Sequence, residues 1–174
     1  MTSLILLALL ILLVILSGFL SGSETAITAT SKARMIYQNK KGSKRAKYVL
    51  KILNEKNNVI SSLLLSNNLV NILASSLATA FFYDIFGVTG IFYSTLIMTV
   101  ILVIFAEVLP KTYAINKPNR TALLISPIIY YLNRLLFIFV FIINQIVKII
   151  FRKKDTDKKI ADQQSEEELI GSID

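Results

Sequence analysis

Four apolar stretches decide what this chain can fold into: Leu4–Leu20, about Val59–Tyr83, about Val88–Leu109 and about Leu123–Ile150. A helix needs about 20 residues to cross a hydrocarbon core of about 30 Å. With their flanks, the first three reach that length, giving predicted spans at about 3–22, 59–83 and 88–109. Inside lipid every backbone N–H and C=O must be satisfied within the protein, which leaves helices as the natural solution for isolated runs of this length. The expected fold class is therefore all-α and integral to the membrane. The first run, MTSLILLALLILLVILSGFL, has no basic residue ahead of its apolar core and is longer than a signal-peptide core. It reads as a retained span and not as a cleaved signal.

The charges set an orientation. Of 19 Lys and Arg, nine fall between Lys32 and Lys56, where the only acid is Glu55. Loops rich in Lys and Arg stay in the cytoplasm. The turn YDIFGVT between spans two and three has Asp84 and no base, so it is expected outside. Lys111, Lys117 and Arg120 bring the chain back to the cytoplasm, and parity puts the N-terminus outside. A net charge of +8 can signal nucleic acid. Bases beside spans are more simply topology signals and contacts to anionic lipid, so anionic lipid is the expected partner of this loop and nucleic acid is not.

The fourth stretch has bases on both flanks: Lys117 and Arg120 before it, Arg152, Lys153 and Lys154 after. It also contains Pro127, Asn133, Arg134, Asn144, Gln145 and Lys148. A charge at the bilayer centre costs about 2.5 kcal/mol or more. The stretch is read as a juxtamembrane belt helix over about 123–150 on the cytoplasmic side, with a fourth crossing as the alternative. The loop after the first span is expected to hold two short cytoplasmic helices, about Glu24–Asn39 and Lys44–Asn54, broken near Gly42 and Ser43. Residues 1–151 then form the transmembrane domain. Residues 152–174 form a polar tail in which Ser165 and Glu168 fit a capping box, as if a further helix begins there.

With no Cys and no His, the sequence offers no disulfide, thiol or zinc chemistry and no histidine-based nucleophile activation. An enzyme is not expected. What remains are polar residues inside apolar spans, which are functional candidates by default. Ser17 and Ser21 are four apart in the first span, Asn67 and Asn71 are four apart in the second, and Glu107 lies in the third. Residues four apart share a helix face. At a rise of about 1.5 Å per residue, the serines lie roughly 20–25 Å from the outer end of their helix. The asparagines lie roughly 12–18 Å from the inner end of theirs, and Glu107 roughly 28 Å from the outer end of its own. All five thus fall in the inner half of the membrane. Converged, they offer hydroxyl, amide and carboxylate oxygens, which suit Mg²⁺ or Na⁺ and not soft metals. Gly18, Gly22 and Pro110 allow kinks that free carbonyls as further ligands. Each feature also has a plainer reading. Small residues mark helix packing and Asn pairs serve as interhelical hydrogen-bond partners. Ser21-x-x-Glu24 matches a capping box, and Glu107 can pair with Lys111 one turn on.

Three runs of this sequence, SGFLSGSETAITA (17–29), SNNLVNILASSLAT (66–79) and AEVLPKTYA (106–114), resemble motifs of the transmembrane domain of the cyclin M/CorC family. The resemblance covers about residues 1–160. It implies a homodimer with three spanning helices and a cytoplasmic belt helix. It also implies Mg²⁺ transport, associated with efflux and driven by Na⁺ moving inward. By motif position the family's ion site falls on Ser17, Ser21, Asn67, Asn71 and Glu107, with a backbone ligand at Ala106. Ser66 and Ala106 stand where the family commonly has Gly, so ligation at Ala106 needs its carbonyl to stay accessible beside a methyl group. Family members carry a pair of CBS domains that bind Mg-ATP. That partner is expected only through domains absent from this sequence, whose tail resembles the approach to them. The alternative function is a sensor that binds Mg²⁺ and regulates a separate transporter.

Overall fold

A computed structural model of the chain describes residues 2–136 together with Phe139, Phe141, Ile142 and Gln145. The chain divides into two units, residues 1–135 and 136–174. The first is helical throughout, with no strand among its described residues. Its elements are α1 (Thr2–Ala29), α2 (Lys32–Lys40), α3 (Lys44–Asn54), α4 (Lys56–Phe86), α5 (Thr89–Ile101), a π-helical segment (Leu102–Val108), α6 (Leu109–Asn116) and α7 (Pro118–Leu135). In the second unit Phe139, Phe141, Ile142 and Gln145 are helical. The belt helix expected over 123–150 coincides with α7 as far as Leu135, and most of its remainder lies outside the described residues. The polar tail at 152–174 lies wholly outside them.

Among the described residues, three helical stretches are long and apolar enough to cross a membrane: Leu4–Ala29, Lys56–Phe86 and the continuous run Thr89–Asn116. Only 17 to 28% of the most apolar window of each is buried, so most of their large side chains face outward. Leu4, Leu12, Ile72 and Phe92 are examples. The buried positions are mostly small: Ser17, Ser21, Ala74, Ala78, Ser94 and Ala106. This inverted pattern belongs to lipid, where burying Leu gains little and close backbone approach brings the helices together.

One sequence expectation is corrected. The first short helix was expected to begin near Glu24, with Ser21 as its cap. Instead α1 runs unbroken to Ala29, and the break falls at Thr30 and Ser31. The hydroxyls of Thr25, Thr28 and Thr30 bond back to the carbonyls of Ser21, Glu24 and Ala26, at 3.2, 2.9 and 2.6 Å, so these polar side chains are satisfied within the helix. Ser31 takes the capping role and accepts the Arg34 amide at 3.4 Å. Ser43 does the same for α3, accepting the Ala46 amide at 3.3 Å.

The α4–α5 hairpin turns at Gly87, whose φ of +63° lies in the left-handed region open to glycine. Gly90 then packs so closely that a Cβ there would lie 2.2 Å from the Phe82 carbonyl oxygen. α1 sits centrally. One part of it packs with α4, α6 and α7 through Leu20, Ile27, Leu63, Ala114 and Ile125. Its earlier turns meet α4 and α5 through Leu10, Ala74, Ala78 and Met98.

Candidate cation site

The two i,i+4 pairs meet at the α1–α4 interface. The fully buried Ser17 hydroxyl donates to Oδ1 of Asn67 at 2.8 Å, and Oδ1 of Asn71 lies 2.5 Å from the same hydroxyl. Ser17 has one proton for two acceptors. The result is a cluster of three oxygens holding a single hydrogen, an acceptor-rich arrangement that favours a positive charge. One turn along α1, Ser21 is also fully buried, and its hydroxyl has no hydrogen-bond partner. A buried polar atom left unpaired costs about 1–3 kcal/mol, so its presence calls for an explanation.

The third span approaches α1 through the π-helical segment. Such segments are rare and cluster at functional sites, because each shifts the hydrogen-bond register by one residue. Here the Leu109 amide bonds Ile104 O, five residues back, instead of Phe105 O, four back. In that register the next donor, to Phe105 O, would come from residue 110. Residue 110 is proline and has no N–H. The Phe105 carbonyl is thereby left without a partner in either helical register. Its position is fixed by Gly18: a Cβ there would lie 3.0 Å from Phe105 O and 3.2 Å from Pro110 Cγ. Gly22 meets the same proline, with Pro110 Cβ 3.3 Å from its virtual Cβ. The two glycines beside Ser17 and Ser21 thus let the third span's backbone pack directly against α1.

Of the six predicted positions, Ser17, Asn67 and Asn71 are in mutual contact through hydrogen bonds. Ser21 lies one helical turn from Ser17 on α1, with Asn67 buried and Asn71 partly buried on α4. Ala106 is fully buried in the π segment. Glu107 follows it, partly buried. Glu107 makes no ion pair with Lys111, so the structural partner considered for it is not engaged. Sequence reasoning missed the Phe105 carbonyl. The proline five residues on was a visible signal, but which carbonyl it orphans depends on an α or π register that the sequence does not declare. Among the described residues no group of three or more His, Cys, Asp or Glu comes together. Ser17, Asn67 and Asn71 together offer neutral oxygens, which is hard-cation chemistry.

A bundle of three apolar spans, packed through small residues around a buried oxygen cluster, defines a polytopic membrane domain. Residues 8–174 match the cyclin M transmembrane N-terminal domain family, and the chain belongs to that family. It is similar to the UPF0053 inner membrane protein YfjD of Escherichia coli, 36% identical over 156 residues that make up 88% of this chain and 36% of that protein. A UPF0053 protein of Haemophilus influenzae is 32% identical over 164 residues, 92% of this chain and 38% of that protein. A UPF0053 protein of Synechocystis is 27% identical over 171 residues, 90% of this chain and 38% of its own length. The chain therefore spans over a third of the length of these curated relatives.

Proposed function

We propose that this chain is the membrane module of an Mg²⁺ transporter and that Ser17, Ser21, Asn67, Asn71, Glu107 and the Phe105–Ala106 carbonyls form its ion path. The observation that carries this reading is the buried Ser17–Asn67–Asn71 cluster, with three oxygens and one shared proton. An octahedral Mg²⁺ with ligands at about 2.1 Å holds adjacent oxygens about 3.0 Å apart. The cluster's separations of 2.8 and 2.5 Å need to open by only a few tenths of an ångström to reach that. The unpartnered Ser21 hydroxyl supplies a further oxygen. Mg²⁺ sheds water reluctantly, so the ion keeps part of its shell where protein oxygens run short. Glu107 supplies the only full negative charge. With Na⁺ the site is neutral and with Mg²⁺ it is +1, so the two ions compete for it.

The module works as a homodimer in the inner or plasma membrane, with its N-terminus outside, the α2–α3 side and the C-terminus in the cytoplasm, and α7 as the belt at the inner surface. The ion loads from the cytoplasm and leaves outward, driven by Na⁺ moving inward. No covalent chemistry is involved. Mg-ATP acts only through soluble domains that follow the membrane module in the whole protein. The decisive experiment is Mg²⁺ flux in liposomes containing only this chain, with Glu107→Ala as control, with and without a Na⁺ gradient. Flux that depends on Glu107 and responds to Na⁺ supports an exchanger. No flux, together with Glu107-dependent Mg²⁺ binding by calorimetry, replaces it with the sensor reading.

A further inference from the structure

One charged surface of the first unit lies on α3, which contributes no residue to the proposed ion path. α3 presents Lys44, Lys47, Tyr48 and Lys51 at i, i+3, i+4 and i+7, along one face of the helix. These four residues line a recess of about 280 Å³. The three lysines are exposed, and none of them forms an ion pair among the described residues. α3 itself contains no acid, and the nearest in sequence, Glu55, lies outside the recess lining. Three like charges on successive turns repel one another, and an anion between them would relieve that repulsion.

The surroundings of the recess say where that anion sits. α3 packs its Val49 and Ile52 face on α7, and the Ser126 hydroxyl on α7 donates to the Arg45 carbonyl at 3.2 Å. Along α7, Leu124, Ile128, Tyr131 and Leu135 are exposed at i, i+4, i+7 and i+11, a continuous apolar stripe on one face. On a helix joined to three membrane spans, that stripe belongs at the acyl boundary. Tyr131 is both a member of the stripe and the edge of an aromatic cluster. Its ring lies 6.4 Å from that of Tyr48, and Tyr130 lies 5.3 Å from Tyr48. Lys51 sits over the Tyr130 ring at 5.1 Å. Tyrosines gather at headgroup depth, where one end of the ring is apolar and the other wet. The Tyr131 phenol is held above its ordinary value, first by the Tyr48 hydroxyl beside it. Tyr48, which lines the lysine recess, therefore borders the apolar stripe at Tyr131, so the recess and the stripe lie side by side.

We propose that Lys44, Lys47 and Lys51, with the Tyr48 hydroxyl, form a discrete binding site for the phosphate headgroup of an anionic membrane lipid, whose acyl chains lie along the apolar stripe of α7. Bound there, the lipid ties α3 and α7 together and fixes the depth of α7 at the membrane surface. This goes further than diffuse attraction of a basic loop to an anionic leaflet, because it assigns three of the nine bases and leaves the others out. It does not depend on which ion the module carries.

The test is lipid binding to the purified full chain in detergent, read by native mass spectrometry as phosphatidylglycerol is titrated against phosphatidylcholine. The triple variant Lys44→Gln/Lys47→Gln/Lys51→Gln is compared with Lys32→Gln/Lys40→Gln/Lys41→Gln, which removes the same charge from exposed positions of the same basic block. A hydrogen bond to a charged group is worth about 1.5 kcal/mol or more, roughly tenfold, so losing even two of the three lysine–phosphate contacts in the α3 triple is expected to cost on the order of a hundredfold in phosphatidylglycerol binding. The control triple is expected to lose less than about fivefold. Equal losses in both triples overturn the discrete site in favour of diffuse attraction. Equal retention of phosphatidylcholine and phosphatidylglycerol by the wild type overturns it as well. Displacement of the lipid by equimolar inorganic phosphate shows a phosphate site and overturns the lipid assignment. All the substituted lysines are exposed, so an unchanged size-exclusion profile is expected for both variants.

Discussion

Pro110 occupies the position from which a π turn would donate a hydrogen bond to Phe105, and it has no hydrogen to give. The amide before it, Leu109, is already bonded to Ile104 O. Pro110→Ala supplies the missing donor. The Phe105 carbonyl is then paired within its own helix and lost to any ligand. A recovered helical hydrogen bond is worth about 0.5–1.5 kcal/mol, partly offset by the loss of ring packing against Gly18 and Gly22. The expected variant is at least as heat-stable as wild type, with Mg²⁺ flux reduced about tenfold. Thermal melts in detergent beside liposome flux check it, and flux at the wild-type level would show that the freed carbonyl has no role in passage.

Ser21 makes the same separation of stability from function at a side chain. Its hydroxyl is fully buried and unpartnered, a standing penalty of about 1–3 kcal/mol. Ser21→Ala removes the penalty and leaves little void. The melting temperature is expected to rise while Mg²⁺ affinity, measured by calorimetry, falls several-fold. If affinity rises along with stability, Ser21 is only a packing residue.

Much of this was legible before the structure. Length and apolarity of the runs at 3–22, 59–83 and 88–109 are enough to mark three spans, because the bilayer sets a fixed length and leaves few alternatives for the backbone. The pairing of Ser17 with Asn67 and Asn71 was foreshadowed by two i,i+4 spacings and a depth estimate. The end of α1 was not. The run Ser21–Thr30 looks like a cap and a loop by composition, yet Ala26 and Ile27 are buried in the core shared with α4, α6 and α7, and the helix runs on to Ala29. The π segment was hidden for a similar reason. Leu102–Val108 reads as ordinary apolar helix, and its register follows from tertiary packing of Gly18 on Pro110.

Gly18 tests that packing. An added Cβ meets Phe105 O at 3.0 Å and Pro110 Cγ at 3.2 Å, one of them backbone in a rigid turn. Overpacking of this kind costs about 1–3 kcal/mol. Gly18→Ala is expected to lower the melting temperature and to separate α1 from the π segment. Mg²⁺ flux should fall even though no side-chain ligand is removed. Gly22→Ala, whose nearest contacts are at 3.3 Å, should do the same more weakly. A Gly18→Ala protein with normal flux and an unchanged melt rules out the close approach as a requirement.

Ser17 carries the most direct prediction, because among the described residues it is both the only donor to the two amide oxygens and a candidate ligand. Ser17→Ala removes one oxygen and the one shared proton, leaving Oδ1 of Asn67 and of Asn71 facing each other across a small void. The amides can relieve this by turning a side-chain NH₂ toward the neighbouring oxygen, so the loss of stability is expected to be about 0.6 kcal/mol and no more than about 1.7, as for interhelical hydrogen bonds in membranes. That same rotation points hydrogens, not oxygens, into the cluster, and a cation cannot use it. Mg²⁺ binding should therefore fall by more than the tenfold that one missing ligand explains. Ser17→Thr keeps the hydroxyl and should restore most of the binding, at some expense in stability because the site is fully buried. Calorimetry on both variants decides the point. Recovery with Thr and loss with Ala assigns the oxygen a ligand's role, whereas equal losses would mean that Ser17 matters only for how closely α1 packs on α4.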